Sequence, residues 1–179
     1  VIPILISILE VAVSVVFFAN KLGVLIEKRL GWLIGVIAAA LAILYFFFLN
    51  LVVFMVLEVG LVILMGYGYW KKEDVNVRVE WFIRIAITVV MGFLTYFVFA
   101  GFLTIMEFIG SVLMLWGTYF LTHKKVLWGW VIYGVSHVFA TIVGYGAEQP
   151  FFAHFQIASA MVAGAGVIKE MNRAASKAA

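Results

Sequence analysis

The chain has 179 residues, of which 66% are hydrophobic and 12% charged, and it has no cysteine. That mix lies outside the range of a water-soluble domain, and the lack of cysteine excludes disulfides, thiolate catalysis and thiolate metal sites. The net charge of +3 sits on no water-exposed domain, so it speaks of membrane topology and not of a nucleic-acid partner.

A bilayer-spanning helix needs about 20 apolar residues. Seven apolar runs meet that need, near 2–19, 32–48, 50–69, 83–100, 102–121, 127–145 and 150–168. The first carries Glu10 and Ser14 and lacks the basic stretch of a signal peptide, so it reads as a mature helix. Lys21, Lys28 and Arg29 follow it. The second opens with Trp32 and is followed by no basic residue. The third holds Glu58 and closes in MGYGYWKK, whose Lys71 and Lys72 lead with Arg78 and Arg84 into the fourth. The fifth carries Glu107 and Ser111 and ends before Lys124 and Lys125. Down the sixth, Trp130, Tyr133, His137 and Thr141 recur at three- and four-residue spacing, which places them on one helical face. The seventh carries His154 and Gln156, with Lys169, Arg173 and Lys177 after it. All twelve Lys and Arg thus follow odd-numbered runs. By the positive-inside rule the N-terminus lies outside and the C-terminus in the cytoplasm. The expected location is the cell's inner (plasma) membrane.

The chain also resembles itself. At a shift of 97 residues Ile8, Glu10 and Ser14 fall on Ile105, Glu107 and Ser111. At 98, Trp32 meets Trp130, Phe54 meets Phe152, Glu58 meets Gln156, Gly66 and Gly68 meet Gly164 and Gly166, and Lys71 meets Lys169. A three-helix unit that starts outside ends inside, so a parallel copy needs one extra crossing, and the fourth run is the unmatched segment. The expected fold is an all-α membrane protein of seven transmembrane helices. Two parallel three-helix repeats, 1–72 and 102–179, are joined by a linker helix within 73–101. Parallel repeats of this kind are a transporter feature, with the substrate between them near the midplane.

Counting inward at 1.5 Å per residue puts Glu10, Glu58, Glu107, His137 and Gln156 about 8–12 Å deep, with His154 slightly shallower. Ionisable groups within a span face a cavity or a partner, because lipid exposure is costly. The layer predicts a substrate pocket lined by Trp130, Tyr133, His137, Glu58, Glu107, Gln156, His154 and Glu10. The alternative is that each group only ties neighbouring helices together. Acidic groups beside Trp and Tyr faces suit a small aromatic cation. Competing readings are a channel or structural subunit, or a redox protein with His137 and His154 as haem ligands. No phosphate-binding loop is present, no Lys lies in the seventh span to carry a retinal Schiff base, and no enzyme activity or cofactor is expected.

Two segments resemble the Pnu-type vitamin transporters, the family of the nicotinamide riboside transporter PnuC. MGYGYWKK at 65–72 is similar to that family's aromatic close of the third helix, keeping Gly66 and Trp70. LTHKKVLWGW at 121–130 is similar to its basic turn and WxxW motif, with Trp130 as the second Trp, Leu127 at the first and a Trp at 128 instead. The family's Asn four residues after that Trp is Gly134, and its third-helix Gln falls on Val56, two before Glu58. The resemblance implies a layout like that of the SWEET sugar transporters, although their Pro-Gln hinges are missing. It also implies facilitated diffusion of nicotinamide riboside or a related vitamin such as thiamine, trapped afterwards by phosphorylation. The expected partners are that solute, the lipid bilayer and, as a homo-oligomer, further copies of the chain.

Overall fold

The structure is a computed structural model, and it describes residues 2–26, 29–71, 76–122 and 126–178. Lys28, Lys72, Lys124 and Lys125, and the side chains of Arg29, Trp70, Lys71 and Lys177, on which the topology and family readings lean, lie outside the described residues. Seven α-helices follow in order: α1 (Ile2–Leu25), α2 (Arg29–Phe48), α3 (Val52–Lys71), α4 (Val77–Phe97), α5 (Phe102–Thr122), α6 (Val126–Gly146) and α7 (Pro150–Ala178).

Three boundaries depart from the expected runs. α1 continues past residue 19 to Leu25, carrying Asn20 and Lys21 into the helix. α4 starts early because Asn76 caps it, its side chain accepting the Arg78 N–H at 3.0 Å; such a cap satisfies one of the orphan donors of a first turn. α7 runs on to Ala178 because Ala, Lys, Glu and Met are strong helix formers and no Gly or Pro interrupts the stretch after Gly166.

Among the described residues, five helices hold stretches long and apolar enough to cross a bilayer: Pro3–Gly23, Leu30–Phe48, Phe102–Leu121, Val126–Gly146 and Pro150–Ser176. α3 contributes a shorter apolar stretch, Val52–Gly66. α4 is not among the five and carries Glu80 and Arg84 near its start. Side-chain placement agrees with a lipid environment. Large apolar side chains such as Ile8, Leu44, Phe47, Phe82, Phe93 and Met161 point outward, while Glu10, Lys21, Glu58, Arg84, Glu107, His137 and Gln156 are buried. Water would favour the reverse, whereas hydrocarbon drives ionisable groups into the bundle. The chain is an all-α membrane protein.

Six helices close a ring in which α1 packs on α2, α2 on α3, α3 on α5, α5 on α6, α6 on α7, and α7 on α1. α4 lies against α3 and α5 alone. Arg84 fastens it there, bonding Glu80 on its own helix at 2.8 Å and, on α5, Thr118 Oγ1 at 3.1 Å and the Leu115 carbonyl. Beside it the Trp81 indole donates to the Tyr119 hydroxyl at 2.8 Å.

The two helical turns at one end of the ring match in backbone detail. Asn50 and Glu148, ninety-eight residues apart, take positive φ of 56° and 58°. Leu51 N–H donates to Phe46 C=O at 3.0 Å, and Gln149 N–H to Gly144 C=O at 2.8 Å. A left-handed residue followed by a donor reaching five residues back is the Schellman close of a helix. Close helix approach repeats as well. A Cβ on Gly23 would lie 2.7 Å from the Gly31 Cα, and one on Gly129 would lie 2.6 Å from the Leu121 nitrogen, so α1–α2 and α5–α6 touch backbone to backbone at related positions.

Candidate functional site

The site begins with two carboxylates that reach across the ring. Glu10 on α1 accepts the backbone N–H of Phe152 at 2.9 Å, and Glu107 on α5 accepts that of Phe54 at 2.7 Å. Phe152 and Phe54 are each the third residue of their helices, where backbone N–H groups lack an intrahelical acceptor. A carboxylate there gains both a charge-assisted bond and the favourable end of the helix dipole. Each glutamate thus caps a helix in the other group of three.

The rings whose backbones are held in this way close one end of a central cavity. Phe46, Phe54 and Phe152 line it, with Phe46–Phe54 centroids at 5.1 Å and Phe46–Phe152 at 5.7 Å. Deeper in, the lining turns polar: Glu58 of α3, Tyr133 and His137 of α6, Gln156 of α7 and Lys21 of α1. The cavity offers about 20 Å³ to the centres of water-sized molecules, room for a water or two, so a vitamin-sized solute requires the helices to part. Towards the other end, Lys21, Met65 and Tyr133 separate it from a second, smaller void that includes Trp32 and Trp130.

The α6 stripe is formed as its spacing implies. Tyr133 meets the His137 ring edge-on at 4.7 Å, and Trp130 meets Tyr133 at 6.4 Å. Trp130 is buried against α7 at a point where Gly166 leaves space, since a Cβ there would run into the indole. His137 Nδ1 pairs with Gln156 Oε1 at 2.7 Å. An amide oxygen only accepts, so Nδ1 carries the proton and, in the neutral ring, Nε2 is a bare acceptor. Among the described residues His137 Nε2 and Glu58 Oε2 have no hydrogen-bond partner, although both groups are fully enclosed. The sequence equivalence explains the second orphan. Gln156 has His137 as its partner, whereas the residue matching His137 in the sequence comparison is Ala39, whose side chain offers no polar atom.

Of the eight residues expected to line one pocket, Glu58, Tyr133, His137 and Gln156 meet in the central cavity, and Trp130 lies at the adjoining void. Glu10 and Glu107 are outside the cavity lining and act through the helix ends they cap. His154 is exposed; its Nε2 lies 3.4 Å from the Tyr145 hydroxyl and its Nδ1 against the Pro150 carbonyl. His137 and His154 therefore do not face a common space that a haem could occupy. Among the described residues no group of three His, Asp or Glu side chains is placed to hold a metal ion.

Lys21 is a cavity-lining residue that sequence reasoning missed. It reads as a boundary charge, yet it is only 3% exposed, lines both voids, and holds its ammonium 5.0 Å from the centre of the Phe17 ring. The available signal was helical phase: Glu10, Ser14, Phe17 and Lys21 follow one another at three and four residues, the same inward stripe. Ser14 and its counterpart Ser111 are buried, and among the described residues neither hydroxyl has a partner.

No family model, curated protein or solved structure matches the chain, so its own residues carry the functional reading.

Proposed function

We propose that the chain is a transporter that moves a small vitamin or nucleoside across the membrane by alternating access. One observation carries the reading. A central cavity within a closed six-helix ring, largely apolar but with Glu58, His137, Gln156 and Lys21 in its lining, meets Phe46, Phe54 and Phe152 at one end and is bounded towards the other by Lys21, Met65 and Tyr133. A site midway through the bundle, with a cluster of side chains on either side of it, suits alternating access. Equivalent turns, reciprocal glutamate caps and the Trp32–Trp130 correspondence support two parallel three-helix repeats, 1–72 and 102–179, joined by α4. The basic residues after odd-numbered runs support a multi-pass protein of the inner membrane with its N-terminus outside. The segments at 65–72 and 121–130 make a Pnu-type facilitator the first family to consider, and nicotinamide riboside the first solute to try.

In this reading Tyr133, His137, Glu58 and Gln156 contact the solute, and Trp130 stacks on or closes over its ring. Uptake of nicotinamide riboside, thiamine and riboflavin into proteoliposomes tests it: time-dependent accumulation of one supports transport, and none of the three entering above protein-free liposomes counts against it. Trp130→Leu should weaken uptake of the accepted solute about five- to thirtyfold through loss of a ring contact of about 1–2 kcal/mol. An unchanged rate in stably folded protein would remove Trp130 from the path.

A further inference from the structure

Resting on the transport reading, a further feature of the same cavity defines the charge pattern of its occupant. Lys21 and Glu58 face one cavity from α1 and α3. Yet among the described residues no ion pair within bonding distance joins them, and Glu58 Oε2 makes no hydrogen bond at all. A basic and an acidic side chain that share a cavity without touching are an unusual arrangement in a low-dielectric bundle, where contact would recover part of the desolvation cost. They leave a gap with a donor at one side and an acceptor at the other. His137 Nε2 adds a second bare acceptor, and the walls between are the rings of Phe17, Phe46, Phe54, Phe152 and Tyr133.

We propose that this cavity takes a zwitterionic heteroaromatic solute, whose anionic group pairs with the Lys21 ammonium while its cationic or hydrogen-donating part lies towards Glu58 and His137. A simple cation fits less well. Glu58 would welcome it, but Lys21 places a like charge in the same small volume, and the cavity's formal charges already sum to zero. A simple anion meets the converse objection at Glu58. Only a molecule bearing both signs satisfies both side chains, and the aromatic lining favours a flat ring between them.

The decisive comparison uses two solutes that differ in one group: nicotinamide riboside, a cation, and nicotinic acid riboside, in which a carboxylate replaces the amide and makes the molecule zwitterionic. Binding of each to the full chain in lipid nanodiscs is measured by isothermal titration, in the wild type, in Lys21→Met and in the double variant Lys21→Met/Glu58→Met. The wild type should bind the carboxylate form about tenfold or more tightly than the amide form, the range of one charge-assisted bond. That preference should vanish or invert in Lys21→Met. Because Lys21→Met leaves a lone buried carboxylate and can unfold, the double variant serves as the packed control. It removes both charges and should lose the preference while keeping its melting temperature. Amide binding equal to or tighter than carboxylate binding in the wild type would overturn the zwitterion proposal and leave transport standing, as would a preference that survives in either variant. If neither riboside binds, the zwitterion proposal falls, while the transport reading is decided separately by uptake of thiamine and riboflavin.

Discussion

Asn50 and Glu148 adopt the same left-handed turn, and Glu10 and Glu107 cap helices at the same third residue. At several other positions the correspondence stops. His137 stands where the first three helices have Ala39, Gln156 where they have Glu58, and Lys21 where the last three have Thr118. The difference separates two kinds of constraint. Turns and caps satisfy backbone groups that any helix end leaves open, so the matching helix ends need the same kind of solution. In the transport reading, differing cavity side chains offer the solute two different faces.

The comparison can be broken most severely at His137. His137→Ala places at 137 the residue type found at its sequence match, Ala39. It deletes a fully buried ring and strands the Gln156 oxygen, and it should cost about 2–4 kcal/mol in unfolding free energy. A loss below about 1 kcal/mol in a reversible denaturant titration would mean that the site rearranges freely. The caps come next. Glu10→Ala and Glu107→Ala should each cost about 1–3 kcal/mol by leaving an N–H unsatisfied, with equal effects if the two units are equivalent in this respect. The double variant should approach the sum, since the two bonds share no partner. A cap whose removal costs nothing would show that its bond is incidental.

Gly166 and Gly164 sharpen the comparison within one helix. Gly166→Ala pushes a methyl into the Trp130 indole and should destabilise by about 1–3 kcal/mol, whereas Gly164→Ala meets nothing within 4 Å and should be neutral or stabilising by about 0.5–1 kcal/mol. Thermal melts that rank the two the other way would remove Trp130 from its place against α7. The smallest effect is expected at the turns. Glu148→Gly should stabilise by about 1 kcal/mol, because Glu tolerates the left-handed region poorly. Asn50→Gly should gain less, since Asn is already suited to that position. Equal gains would mean that the two turns are not strained as their residues imply.

Much of this was open to reading in the chain itself. The apolar runs follow from composition, because a helix is the only segment that satisfies its own backbone in hydrocarbon. The Trp130–Tyr133–His137 stripe follows from helical periodicity, and the correspondence of Glu10 with Glu107 from plain comparison of the chain with itself. Helix lengths were less legible. α1 and α7 run beyond their apolar cores because helical hydrogen bonding does not stop where hydrophobicity does. Depth alone grouped Glu10 and Glu107 with Glu58, but depth does not say which way a side chain points.

Which atoms meet was decided by the tertiary structure. Glu10 finds Phe152 and Glu107 finds Phe54 only once α1 lies against α7 and α5 against α3. Lys21 and Arg84 look like interfacial charges in one dimension, and the folded bundle encloses both, one beside a cavity and one between two helices. The sequence by itself determined the membrane-embedded helical character and the inward stripes, since these depend on local periodicity and on the cost of polarity in lipid. Tertiary packing decided which polar groups cap helices, which face the cavity and which remain without a partner, because those outcomes depend on what the neighbouring helix presents.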